Sequence, residues 1–332
     1  MVALDIVKAS NTKLPSHLVA VFVGGTSGIG EYALKSFARH CQFPRAYFIG
    51  RSQKSADRIL SELKTTNANG EYTFRQADTS LIKNVDKVCE ELKSKEKHIN
   101  ILFLTTGTLA SGQETAEGLH AAASLIIHSR TRFIVNLLPL LRAAPDLRRV
   151  VSTLCGTLEG PFANEDFQAR NVSLMKARGQ GASAVTLSLE TVAKAAPEVS
   201  FVHDFPGPVR SNIARDSGFV PMLMKWVFKI FGPFIFIPNE ESGERHLYLA
   251  TSARYPPPIG GASGVPVDDG ASIANGTDGK PGSGVYSVDQ VCESGVKNVD
   301  VLKKLRTEGW DKKLWKHIQG EYVRITGKES IN

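Results

Sequence analysis

The stretch that most constrains this chain is Val21-Phe22-Val23-Gly24-Gly25-Thr26-Ser27-Gly28-Ile29-Gly30. A strand-length apolar run, Leu18–Val23, leads straight into glycines. The next segment, Gly30–His40, has helical spacing with Tyr32, Ala33, Phe37 and Ala38 on its apolar side. Gly24 permits the tight turn, Gly28 lets backbone approach a ligand, and Gly30 lets helix and strand pack closely. The helix start then offers unpaired N–H groups and the positive end of its dipole to phosphate. The pattern predicts a strand–turn–helix unit whose Gly24, Thr26, Ser27, Gly28, Ile29 and Gly30 hold a dinucleotide. A lone glycine pattern is weak; here strand and helix flank it.

The same alternation continues along the chain. Strands are predicted at Arg45–Ile49, Tyr72–Gln76, Ile101–Thr105, Arg149–Thr153 and Val199–Asp204. Helices are predicted at Lys54–Leu63, Leu81–Leu92, 117–143 and Ser173–Ala195. Strands alternating with helices imply a parallel sheet covered on both faces, a Rossmann-like, doubly wound α/β fold. Past residue 210 the pattern changes. Phe219–Pro238 is dense in Phe, Trp, Met and Ile, and Glu241–Ser252 reads as a helix. Tyr255–Gly284 is rich in Gly and Pro and reads as a mobile surface loop. Gly284–Val288 is a candidate last strand, and Val296–Ile325 a basic helical region. The expected organisation is an arm at 1–16, the main domain at 17–254, the loop at 255–284 and a C-terminal extension at 285–332.

Composition narrows the function classes. Among 332 residues, 42% are apolar and 22% charged, enough for a large core and against a disordered chain. Cys41, Cys89, Cys155 and Cys292 are far apart, with no CxxC, so neither a metal site nor a disulfide framework is expected. The net charge of +7 is spread along the chain, which argues against nucleic acid and suits a phosphate-bearing cofactor. No secretory signal is read at the start, so a cytoplasmic setting is expected. Lys225, Lys229 and Pro233 interrupt the apolar segment, which argues against a membrane span; a membrane-surface contact is disfavoured.

On these motifs the chain resembles the short-chain dehydrogenase/reductase family over roughly residues 17–250. Gly24–Gly30 stands where the family carries Thr-Gly-x-x-x-Gly-Ile-Gly, with Gly24 in place of Thr. The resemblance implies that Asp78, in Ala77-Asp78-Thr79, meets the adenine. It implies that Thr105 and Gly107 border the dinucleotide, in Leu104-Thr105-Thr106-Gly107, where Asn-Asn-Ala-Gly is usual. It also places Pro206, Gly207, Val209 and Ser211 near the nicotinamide. The extended tail resembles a fungal subgroup associated with secondary metabolism. Family members that use NAD usually carry an acid after the second strand, to bond the ribose hydroxyl. Here Ile49-Gly50-Arg51-Ser52 has none, and Arg51 and Ser52, helped by Lys54, suit a 2′-phosphate. NADP(H) is therefore the expected cofactor.

The resemblance breaks at the proton relay. The family uses a Tyr as acid or base and a Lys four residues on, supported by a Ser and an Asn. Lys176 matches the lysine, but Val172 stands at the tyrosine position, and no tyrosine occurs between Tyr72 and Tyr248. Ser152, Thr153 and Cys155 all compete for the serine position. The asparagine has become Ile126 or a neighbour, within Leu125–Arg130. His128, Ser173, Cys155 and His203 are the available substitute acids. Three readings stand together. The leading one is an NADP(H)-dependent oxidoreductase acting on a bulky, lipophilic carbonyl, alkene or iminium compound. The others are a non-redox cyclase or isomerase and a non-catalytic nucleotide-binding protein. Phe219–Pro238 is either a substrate lid or a packing segment, in the core or in a homodimer.

Overall fold

Five consecutive apolar residues, Val19–Val23, form the buried central strand β1. In the computed structural model, which describes residues 2–108, 112–210, 236–267, 272–295 and 298–330, β1 lies within one seven-stranded parallel sheet. The other strands are β2 (Arg45–Gly50), β3 (Glu71–Gln76), β4 (Ile101–Leu104), β5 (Arg149–Thr153), β6 (Ser200–Asp204) and β7 (Val285–Val288). Their order is β3-β2-β1-β4-β5-β6-β7. The direction of winding reverses between β1 and β4, the place where such sheets open a ligand crevice at the carboxyl ends of the strands.

Helices cover both faces. α2 (Gly28–His40) and α3 (Gln53–Thr66) lie on one side, and α4 (Ile82–Lys95) on the other. With α4 lies a composite helix: α5 (Ala121–Ala123), a π turn at Ser124–His128, and α6 (Ser129–Arg142). α7 (Leu174–Ala195) lies beside it, and α8 (Asn239–Thr251) packs beside α2. Alternate residues of β1 serve the two cores: Ala20 and Phe22 face one, Val19, Val21 and Val23 the other.

The structure corrects several expectations. The stretch 117–143 is not one helix, because residues 112–120 form a loop and helix begins at Ala121. The arm at 1–16 contains a helix, α1 (Leu4–Asn11). Its Val7 is fully buried, and Asn11 Nδ2 donates to the Glu244 carboxylate at 2.7 Å. The Gly/Pro-rich loop is built in where it is described. Tyr255 is fully buried, and Val265 and Ala274 nearly so. The Tyr255 hydroxyl donates to Cys292 O at 2.6 Å, and Ser200 Oγ to Tyr255 O at 2.7 Å. Backbone and side-chain hydrogen bonds do here what apolar periodicity does elsewhere, so composition alone misreads the segment.

The C-terminal extension follows β7 with α9 (Val299–Thr307) and α10 (Trp310–Thr326), separated by Gly309 in the left-handed region at φ 76°. Leu302, Leu305, Leu314, Ile318 and Tyr322 form a third apolar cluster with Ile127, Ala184 and Leu187. The extension thus covers the outer face of the π turn and α7.

Candidate functional site

The carboxyl ends of β1 to β5 border a cleft of about 520 Å³. Gly24, Thr26, Ser27 and Ile29 line it from the β1–α2 turn, and Gly28 opens α2. Gly24 has φ +91°, and a Cβ there would lie 2.5 Å from Thr105 Oγ1. A Cβ on Gly30 would lie 2.5 Å from Gly24 O and 2.7 Å from Thr105 Oγ1. Thr105 Oγ1 donates to Val23 O at 3.1 Å, tying β4 to the turn. The glycines therefore keep backbone close to the cleft, beside the α2 N-terminus: a cradle for a pyrophosphate, as a bound dinucleotide requires.

At the end of β2, Arg51, Ser52 and Ser55 line the same cleft. Ser52 caps α3, its Oγ accepting from Ser55 N at 3.2 Å. Neither Gly50–Ser52 nor the first turn of α3 carries an acid. Lys54 is exposed and outside the lining. Ala77, Asp78 and Thr79 line the wall after β3, and Thr105, Thr106 and Gly107 the wall after β4. Pro206 also lines the cleft, followed by Gly207 at φ +71°. Val209 is bridged to Ile237 and lies outside the lining. Ser211 and residues 219–235 lie outside the described residues.

The end of β5 separates the three candidates for the serine position. Ser152 is fully buried, and its Oγ accepts from Arg130 at 2.8 Å. Thr153 lines the cleft, and its Oγ1 has no hydrogen-bond partner. Cys155 lies outside the lining; its N–H donates to His203 Nε2 at 3.2 Å, and its Sγ accepts from Arg178 Nε at 3.4 Å. Of the three, Thr153 is the one on the cleft wall, with its Oγ1 itself buried.

Arg130 sits under Thr153. It is 3% exposed yet lines the cleft, and it donates to Thr153 O at 2.9 Å and to Thr106 O at 2.5 Å. Burial pushes its guanidinium down to about 10, so it remains a cation at neutral pH. The π turn at Ser124–His128 inserts one residue and turns the following side chains by about 100°. Thr106 Oγ1 donates to Leu125 O within that turn at 3.2 Å. The sequence carried a signal for Arg130: a charged residue on the apolar stripe with Ile126 and Ile134 must find partners.

Two candidates lie outside the cleft lining. His128 faces away from the cleft, stacked edge-on to His317 and Tyr322 of α10. Burial, joined by repulsion from His317, lowers its pKa to about 3, so it is a neutral packing residue. Lys176 is exposed in the first turn of α7 and lies outside the lining. The α7 side chain that reaches the sheet ends is Arg178, which also lies over the Phe205 ring at 5.2 Å. Two residues along a helix rotate a side chain by about 200°, which explains the difference. Val172 and Ser173 precede α7, and among the described residues no tyrosine lines the cleft.

His203 is structural. Its Nδ1 is 2.8 Å from Thr186 Oγ1, which donates to Glu159 Oε1 at 2.7 Å. Burial works to raise the Glu159 pKa, but hydrogen bonds from His203, Ser287 and Thr186 hold it below the ordinary carboxylate value. This network pins the loop after β5. Sequence reasoning also missed the 112–120 loop, whose Gln113, Glu114 and Thr115 line the cleft, with Glu114 paired to Arg170. Among the described residues, no cluster of His, Cys, Asp and Glu could hold a metal ion, and no helix is long and apolar enough to cross a membrane.

No family model matches the chain. It is 40% identical over 295 residues to an oxidoreductase of Emericella nidulans, covering 86% of this chain and 88% of the relative. It is 30% identical over 346 residues to a short-chain dehydrogenase/reductase of Stachybotrys chartarum, covering 96% of each. Among solved structures, the Pseudomonas aeruginosa RhlG/NADP active-site complex matches with a TM-score of 0.56 at 19% identity. That match covers 77% of this chain and 96% of the other, and it concerns the fold.

Proposed function

The chain belongs to the short-chain dehydrogenase/reductase family, and from that premise we propose that it is a cytoplasmic, NADP(H)-dependent oxidoreductase acting on a bulky, lipophilic small molecule in natural-product biosynthesis. The observation that carries the cofactor reading is the end of β2. Arg51, Ser52 and Ser55 line the cleft there, at the positive end of α3, and neither Gly50–Ser52 nor the first turn of α3 carries an acid. NADPH, when bound, supplies a hydride. The chain's own part is to hold it: the Gly24–Gly30 turn and the α2 N-terminus at the pyrophosphate, Arg51 and its serines at the 2′-phosphate, Asp78 at the adenine, and Pro206 and Gly207 at the nicotinamide end.

Calorimetry with NADPH and NADH tests this reading. NADPH should bind more tightly, and Arg51→Ala should weaken it by roughly 1–3 kcal/mol, the scale of a charged hydrogen bond, with little change for NADH. Equal affinities in the parent protein would overturn the assignment.

One observation favours a second reading. Among the described residues no tyrosine, the family's usual acid for a carbonyl oxygen, lines the cleft wall. A non-redox cyclase or isomerase, in which the pocket only orients its substrate, needs no such acid. Product formation with and without NADPH, followed alongside the nicotinamide absorbance, separates the two. Turnover without nicotinamide consumption would establish the cyclase, and stoichiometric NADPH loss the oxidoreductase.

A further inference from the structure

We propose that residues 112–121 form a clamp over the adenosine half of the bound dinucleotide, and that Arg324 of α10 is the positioning residue that holds the clamp in place. The inference rests on the dinucleotide reading and adds a wall that the glycine turn and Arg51 do not supply.

The segment is a preformed hairpin. Glu114 and His120 pair across it as an antiparallel bridge. Thr115 N donates to Leu119 O at 2.8 Å, and Ala121 N to Gln113 O at 2.8 Å. Gly118 turns the tip at φ +74°. His120 is fixed in one tautomer. Its Nε2 accepts from Gly112 N at 3.2 Å, so the ring proton is on Nδ1, which donates to Gln168 O at 3.0 Å.

One edge of the hairpin lies on the cleft. Gln113, Glu114, Thr115 and Ala116 line it, and each is exposed or half-buried, so a ligand can reach them. The hairpin is also tied to the start of α4. The Glu117 carboxylate accepts from Ile82 N at 2.6 Å and from Lys83 N at 3.1 Å, an acid at the positive end of a helix. Ile82 directly follows Ser80 and Leu81, which continue the cleft wall begun by Ala77, Asp78 and Thr79 after β3. The hairpin therefore stands at the adenine end. Pro206, at the nicotinamide end, follows β6, on the far side of β1 and β4 in the sheet.

A carboxylate on this wall repels a phosphate-bearing ligand unless it is neutralised. Arg170 pairs with Glu114 and donates to Gly118 O at 3.1 Å, so one side chain cancels the charge and braces the tip. The second brace comes from the C-terminal extension. Arg324 Nη2 donates to Glu117 O at 2.8 Å, while its Nε donates to Glu321 Oε2 at 2.7 Å, on the preceding turn of α10. Glu117 is thus held at its carboxylate by α4 and at its carbonyl by α10, and α10 is anchored in the core through Leu314, Ile318 and Tyr322. A wall built in advance costs no ordering when the ligand arrives, and its loss is felt as faster dissociation.

Hydrogen exchange and stopped-flow binding on the full chain test this. NADPH, or adenosine diphosphate alone, should slow exchange of the 112–121 amides in the parent, and nicotinamide mononucleotide should not. Arg324→Met should raise the NADPH dissociation rate about fivefold, the scale of one net hydrogen bond, with the association rate and the urea midpoint near the parent's. Arg324→Lys should restore part of the slower rate. Unchanged exchange at 112–121 with NADPH bound overturns the clamp, as does protection by nicotinamide mononucleotide but not by adenosine diphosphate. An unchanged dissociation rate in Arg324→Met, or a faster one matched by lost urea stability, overturns the role of Arg324. A parent that binds neither NADPH nor adenosine diphosphate overturns the dinucleotide reading and the clamp with it. A parent protected by adenosine diphosphate that binds NADPH and NADH equally overturns only the NADP(H) assignment and supports the clamp.

Discussion

Single residues carry the sharpest expectations. A methyl group on Gly30 would press on Gly24 O at 2.5 Å, and that backbone oxygen cannot swing aside. Gly30→Ala should therefore cost about 1–3 kcal/mol in urea unfolding and abolish detectable NADPH binding. An alanine variant with parent-like affinity would refute the close-approach reading. His128 carries a pH prediction. Its folded pKa is depressed, to about 3, so below its ordinary value near 6.5 the unfolded chain takes up a proton that the folded chain does not. The stability it permits is complete above that value and is lost as pH falls toward 3. His128→Leu should flatten the dependence of urea stability on pH between 6.5 and 3 by up to one proton; an unchanged slope would contradict the neutral, packed histidine. Gly30 could be read from its neighbours in the chain. His128 and Arg130 are two residues apart, yet one faces α10 and the other lines the cleft; the apolar stripe around Arg130 shows that it must find partners, but not which face of the helix holds them.

At the scale of elements, strands and helices were legible because apolar periodicity records which face is buried. Their rotational phase was not. α7 was placed within a residue of its observed start, yet the side chain turned toward the sheet ends is Arg178 and not Lys176. The family pattern aligns residues by number, whereas a helix presents them by angle, and a shift of two positions reverses the face. A pair of variants checks this. Lys176→Ala should leave NADPH affinity within about 0.5 kcal/mol, as for an exposed residue. Arg178→Ala removes the guanidinium from the Phe205 ring, next to Pro206 of the cleft, and should weaken binding by about 1 kcal/mol. Fluorescence titration giving the larger loss for Lys176→Ala would restore the lysine to the ribose. The π turn likewise escaped the sequence, because an inserted residue in a helix leaves composition and hydrophobicity unchanged.

At the scale of the whole molecule, the unexpected finding is how the chain beyond β6 is built in. Arg149, at the start of β5, is fully buried and donates to Leu249 O at 2.6 Å, Ser252 O at 3.1 Å and Ser263 O at 3.2 Å. It fastens the central sheet to α8 and to the Gly/Pro-rich segment. Arg149→Met leaves those carbonyls without that donor and should cost about 2–4 kcal/mol in urea unfolding, as should shortening the described part of 255–284. A shortened chain of parent stability would show that the segment is only surface. From the sequence alone came the parallel α/β sheet, the glycine turn, and the basic residue in place of an acid after β2. Each rests on local rules: side-chain period, backbone sterics, and the charge of one residue beside one turn. Tertiary structure alone decided which of Ser152, Thr153 and Cys155 meets the cleft, that Arg130 lies beneath it, and that a glycine-rich segment belongs to the core. Those outcomes depend on strand register, helix phase and long-range hydrogen bonds, which join residues tens to hundreds of positions apart and leave no periodic trace in the chain.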